Sequence, residues 1–88
     1  MSSKYNNYAS SLVSVGTSET AVLARNNGRT AIILFNQGST DIKWYFEDNS
    51  TMYFVLPAGE GIHLPAAPSN EINAIVDSGT SALTVMES

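Results

Sequence analysis

The chain has no cysteine. That absence removes disulfides, thiolate-bound zinc and thiol catalysis together. Histidine is nearly absent too. His63 stands alone, so an imidazole-based metal site would need carboxylates for every other ligand. Only 14% of the residues are Asp, Glu, Lys or Arg, against roughly 25% in ordinary soluble domains. The four cations, Lys4, Arg25, Arg29 and Lys43, are too scattered to form a basic patch, so neither nucleic acid nor an anionic membrane surface is an expected partner. No apolar run approaches the length of about 18 residues that spans a bilayer. The opening Met1-Ser2-Ser3-Lys4-Tyr5-Asn6-Asn7-Tyr8 lacks the apolar centre of a signal peptide, so synthesis in the cytoplasm is expected.

What replaces the missing charge is Ser, Thr, Asn and Gly. A polar but weakly charged surface suits packing against neighbours better than it suits steering of substrates. With 88 residues the chain is read as one domain. A domain of this size buries only about 60–65% of its unfolded surface, which leaves a modest core.

The stretch from Thr30 to Phe46 organises the rest. Ala31 to Phe35 is a short apolar run, too short for an ordinary helix, and reads as a strand buried on both faces. Asn36-Gln37-Gly38-Ser39 supplies turn chemistry. From Asp41 to Phe46 the pattern alternates, with Ile42, Trp44 and Phe46 on one face and Lys43 and Tyr45 on the other. The pair reads as the central hairpin of an antiparallel sheet.

Similar segments recur at a steady interval. Leu12 to Val15, Thr20 to Ala24, Met52 to Leu56, Ile62 to Leu64, Ile72 to Val76 and Ala82 to Met86 complete a set of about eight short strands. Asn26-Asn27-Gly28 reads as a hairpin turn, and Asp77 to Thr80 as the joint of a last strand pair. No sustained helical period occurs, and Pro57, Pro65 and Pro68 would break one. The expected fold is all-β, a compact antiparallel β-sandwich or a small jelly roll over residues 11–88. Residues 1–10 read as a polar N-terminal arm, with Tyr5 and Tyr8 able to anchor it on a neighbouring subunit.

Chemistry is hard to assemble. His63 lies between Ile62 and Leu64 and should point to the outside. The acids Glu19, Asp41, Glu47, Asp48, Glu60, Glu71, Asp77 and Glu87 fall in turns or at strand ends, where solvated carboxylates are expected. Gly59-Glu60-Gly61 lacks the lysine and helix of a phosphate-binding loop. The expectation is a protein that is not an enzyme and carries no metal or other cofactor. Among the aromatics, Tyr45 and Tyr53 could share an outward face and, with Trp44, form a platform for a sugar ring or a partner loop. Alternatively Trp44, Phe46 and Phe54 fill the core while the two tyrosines cap its rim.

Four segments carry a resemblance. They are Val15-Gly16-Thr17-Ser18 with Arg29 to Asn36, then Leu56-Pro57-Ala58-Gly59-Glu60, and finally Ile75 to Val85. Across residues 14–87 the chain resembles small β-sandwich virion proteins of tailed bacteriophages, in particular capsid decoration (cement) proteins. The resemblance implies a non-enzymatic virion structural protein on the capsid surface. It would brace the major capsid protein shell as a homo-oligomer, with a trimer favoured. A second expectation is a carbohydrate- or receptor-binding module of a phage spike or fibre. Tyr5, Tyr8, Tyr45 and Tyr53 are the candidate partner-binding residues.

Overall fold

The computed structural model describes residues 8–88. These residues form eight strands: β1 (Ala9–Val15), β2 (Thr20–Leu23), β3 (Ile32–Asn36), β4 (Ile42–Phe46), β5 (Phe54–Leu56), β6 (Gly61–Leu64), β7 (Ile72–Ile75) and β8 (Ser81–Glu87). Two antiparallel four-stranded sheets result. The first has the order β1-β8-β3-β6 and the second β2-β7-β4-β5. β1 pairs β8, β2 pairs β7, β3 pairs β6 and β4 pairs β5. That nested pairing is the jelly-roll form of the β-sandwich. Among the described residues no helix is long and apolar enough to cross a membrane.

The core follows from alternation. Ile32 and Leu34 of β3, Leu83 and Val85 of β8 and Val15 of β1 face inward from the first sheet. Ile42, Trp44, Leu56, Ile72 and Ala74 meet them from the second. The β2 strand departs from simple alternation. Its register shifts between Ala21 and Leu23, so Val22 and Leu23 both reach the core. A bulge of this kind lets two successive side chains share one face.

Three expectations about pairing are corrected. β3 and β4 are not a hairpin, because they lie in different sheets. The chain between them crosses from one layer to the other. Gly38 makes that crossing close: a Cβ there would collide with the Ser81 hydroxyl and approach Ala82 N to 2.9 Å. The segments around Asn26-Asn27-Gly28 and Asp77 to Thr80 also join strands of different sheets. Turn residues serve an interlayer crossing as readily as a hairpin. Nor is β3 buried on both faces, since Ile33 is half-buried and Phe35 is exposed on the outer side. β1 begins at Ala9, so residues 9 and 10 belong to the sheet rather than to an arm.

Two buried polar residues hold the ends of β3. Before its start, the Arg29 guanidinium donates to the carbonyls of Ala24, Pro68 and Asn70 and to the Glu87 carboxylate, at 2.7 to 2.9 Å. At its end, the Asn36 amide donates to the carbonyls of Thr40 and Leu56, at 2.8 and 3.0 Å. Its oxygen accepts from Gly38 N and the Ser81 hydroxyl, at 3.0 and 2.7 Å. Each ties loops from both sheets to one strand and leaves no buried donor or acceptor unmatched.

Candidate functional site

The inner faces of the sheets are filled by apolar side chains, so candidate sites lie outside the sandwich. An open depression of about 490 Å³ lies beside the second sheet, lined by Glu19, Ala21, Glu47, Asp48, Glu71 and Asn73. Its acids come from the β1–β2, β4–β5 and β6–β7 connections, which the sandwich brings to one end. Sequence reading scattered them among solvated turns, because nothing local shows that three distant loops converge.

Most of these carboxylates are engaged within the protein. Glu19 Oε2 accepts from the Tyr45 hydroxyl at 2.9 Å. Glu47 Oε2 accepts from Arg25 Nη2 at 2.8 Å, Glu71 N at 3.1 Å and Asn70 Nδ2 at 3.2 Å. These donors hold the Glu47 carboxyl below its ordinary range, the Glu71 amide foremost, against the opposing effect of burial. The Asn73 amide bridges the Glu47 carbonyl and Glu71 Oε1. Glu47 also has the only positive φ among the described non-glycine residues, at 55°. Its side chain and backbone latch the β4–β5 and β6–β7 connections together. Among the described residues no group of three His, Cys, Asp or Glu side chains is placed to hold a metal ion.

The second feature is the β5 edge. Met52, Tyr53, Phe54 and Val55 are consecutive and all exposed, at 73%, 43%, 52% and 51%. β5 is the last strand of its sheet and pairs only with β4. Phe54 stacks on Trp44 with ring centroids 4.7 Å apart, and Phe46 meets both rings edge-on at 5.5 and 6.4 Å. On the opposite face, Lys43 Nζ sits 4.8 Å above the Tyr53 ring and pairs with Asp77 at 2.9 Å. The hydrogen bond to Asp77 raises the Lys43 ammonium above its ordinary value. The sequence reading gives Met52 to Leu56 as a short strand without placing it at an edge or in the middle of a sheet. A short apolar run at an edge has the same signature as one in the middle.

The four tyrosines scatter. Tyr5 lies outside the described residues. Tyr8, immediately before β1, is exposed, and so is Tyr53. Tyr45 is only 1% exposed, and its hydroxyl is tied to Glu19. Burial first, and then that bond, push its hydroxyl up to about 12. Trp44 is buried as well, so the aromatic platform of Trp44, Tyr45 and Tyr53 does not form: only Tyr53 presents surface. His63 is exposed on the outer face of β6, where Ile62 and Leu64 turn inward.

No protein-family model matches the chain, and no curated protein does. Among solved structures it is similar to the crystal structure of a cupin-2 domain-containing protein from Shewanella frigidimarina NCIMB 400, with a TM-score of 0.58 and 18% identity. The match covers 96% of this chain and 72% of that one. A likeness at this identity shows the fold alone, a jelly-roll β-sandwich. The resemblance to phage decoration proteins is corrected accordingly, and with it the reading as a capsid cement subunit or a spike module. Jelly rolls serve viral capsids, lectins and cupins alike. Strand-and-turn grammar therefore selects the architecture and not the virion. The capsid partner and the threefold arrangement rested on that resemblance alone and lose their support with it.

Proposed function

We propose that the protein is a non-catalytic interaction domain whose contact surface is the β5 edge, and that this edge receives an extended apolar segment of another polypeptide. The observation that carries the reading is the run Met52-Tyr53-Phe54-Val55, four successive exposed apolar side chains, of which Phe54 and Val55 stand on the edge strand and Met52 and Tyr53 lead into it. Runs of this kind are costly to solubility and normally mark a partner surface. Within β5, Phe54 and Val55 point to opposite faces, so a partner lying along the edge reaches both. Strand addition provides that geometry, with main-chain bonds supplying affinity and alternate side chains supplying selectivity. The engaged carboxylates of the depression favour a latch there over an acid–base site.

A peptide-display selection on the immobilised full chain tests this. The expected result is enrichment of peptides with alternating apolar residues whose binding is lost in Val55→Lys and in Phe54→Asp. Selected peptides that bind those variants as well as the parent would overturn the reading, and so would no enrichment at all.

A further inference from the structure

The described residues contain seven exposed large apolar side chains, and most of them divide between two surfaces. Four lie in β5 and the two residues before it. Leu12 and Phe35 belong to the outer side of the first sheet, where they are 64% and 39% exposed, and Tyr8 immediately precedes β1. The register fixes that face row by row. Leu12, Thr84, Phe35 and Gly61 lie side by side across β1, β8, β3 and β6. Ser10, Met86, Ile33 and His63 form the adjacent row. Ser14 and Ala82 extend it. None of these positions holds Asp, Glu, Lys or Arg, in a chain with a net charge of −4.

We propose that this charge-free face joins two copies of the chain about a two-fold axis that runs along β8. Strands lie about 4.8 Å apart, so β1 and β3 flank β8 at equal distances. Rotation about an axis along β8 therefore lays β1 of one copy over β3 of the other. Leu12 then meets Phe35 of the second copy, and Phe35 meets its Leu12. Met86 faces its own counterpart, and Ile33 lies over Ser10. Off the axis each side chain opposes one of different size or shape, and on it Thr84 and Met86 meet their own counterparts. β6 has no strand opposite it, which leaves His63 at the solvated rim.

The arrangement of Leu12 and Phe35 on either side of β8 makes the face self-complementary and so selects a second copy as the occupant. The absence of charge on it removes the electrostatic obstacle. Two molecules of the same negative sign repel, unless the surfaces that meet carry no charge. The acids Glu19, Glu47, Asp48 and Glu71 line the depression beside the other sheet. Stacked sheets are about 10 Å apart, so the acids of two copies joined this way are separated by several layers, well beyond a Debye length of roughly 8–10 Å. Three short strands give a small contact area. The dimer is therefore concentration-dependent, at the weak end of specific interfaces.

Sedimentation equilibrium on the full chain, from micromolar to millimolar, tests the proposal. A monomer–dimer equilibrium is expected. Leu12→Lys alone and Phe35→Glu alone should each shift dissociation at least tenfold towards monomer, with unchanged circular dichroism. The double variant should recover the dimer, because each introduced cation then meets an introduced anion of the other copy. Val55→Lys should leave the equilibrium unchanged, which separates this surface from the β5 edge. A monomer at every concentration, a trimer, or a dimer indifferent to both single variants would overturn the proposal. A double variant that stays monomeric would overturn the two-fold geometry.

Discussion

Arg29 and Glu87, 58 residues apart in sequence, form an ion pair of 2.9 Å whose guanidinium is completely buried. The same guanidinium satisfies three backbone carbonyls, one from its own β2–β3 connection and two from the β6–β7 connection. Removing one partner of a buried pair leaves the other uncompensated. Arg29→Ala should therefore destabilise the fold by about 3–5 kcal/mol. Arg29→Lys should recover only part of that, because one ammonium cannot reproduce the guanidinium fork. Urea denaturation measures both. An Arg29→Ala variant as stable as the parent would remove the clamp from the account.

How much of this was legible in the sequence depends on range. Ile42, Trp44 and Phe46 alternate with Lys43 and Tyr45, and that local pattern places β4 and its inward face correctly. The pairing of β4 was not legible, since Asn36 to Ser39 looks the same whether the chain folds back or crosses to the other layer. Arg29 and Asn36 read as an ordinary cation and an ordinary turn residue. Their roles depend on Glu87, Pro68, Leu56 and Ser81, all distant in the chain. Tyr45 was read as an outward ring, and it does lie on the outer side of its sheet. It is nonetheless buried, and its hydroxyl bonds to Glu19 of a distant loop, which the local pattern does not show. Phe54, one of the rings offered as core filling, differs in the opposite direction and is exposed, because apolar character suggests burial and says nothing about standing at an edge.

Asn36 offers a second test. Its side chain makes four hydrogen bonds in a fully buried position. Asn36→Asp nearly preserves its shape but replaces the donor amide with an acceptor facing the carbonyls of Thr40 and Leu56. Leaving such groups unmatched costs about 1–3 kcal/mol each, so Asn36→Asp should be more damaging at neutral pH than its small change in volume suggests. Thermal unfolding of Asn36→Asp and Asn36→Ala decides this. The expected order is parent, then alanine, then aspartate as least stable. An aspartate variant matching the parent would contradict the bonding scheme.

Tyr45 should reveal itself in alkali. Its hydroxyl is raised from 10.0 to about 12, by burial and by the bond to Glu19. The folded state then holds this proton more tightly than the unfolded chain. Its contribution to stability is complete below about pH 10 and is lost as pH rises through about 12. Absorbance titration of the phenolates should show one tyrosine ionising late, and Tyr45→Phe should delete that late step alone. If the late step survives in Tyr45→Phe, the assignment is wrong. Glu19→Gln should bring the step to lower pH by removing the carboxylate.

Glu47 acts in the opposite direction. The Glu71 amide, the Asn70 side chain and Arg25 converge on its carboxylate and hold it below its ordinary value of 4.5. The folded state therefore releases this proton more readily than the unfolded chain does. The stabilisation is present in full above the ordinary value and disappears as pH falls through the lowered one. Glu47→Gln removes the charge but keeps the size, so it should be less stable than the parent at neutral pH. The gap should close in strong acid, where the parent carboxyl is protonated as well. Urea midpoints of both proteins, measured from neutral pH downward, show whether the curves converge. A gap of constant size would mean that Glu47 acts through its left-handed backbone and the Asn73 bond to its carbonyl, and not through its charge.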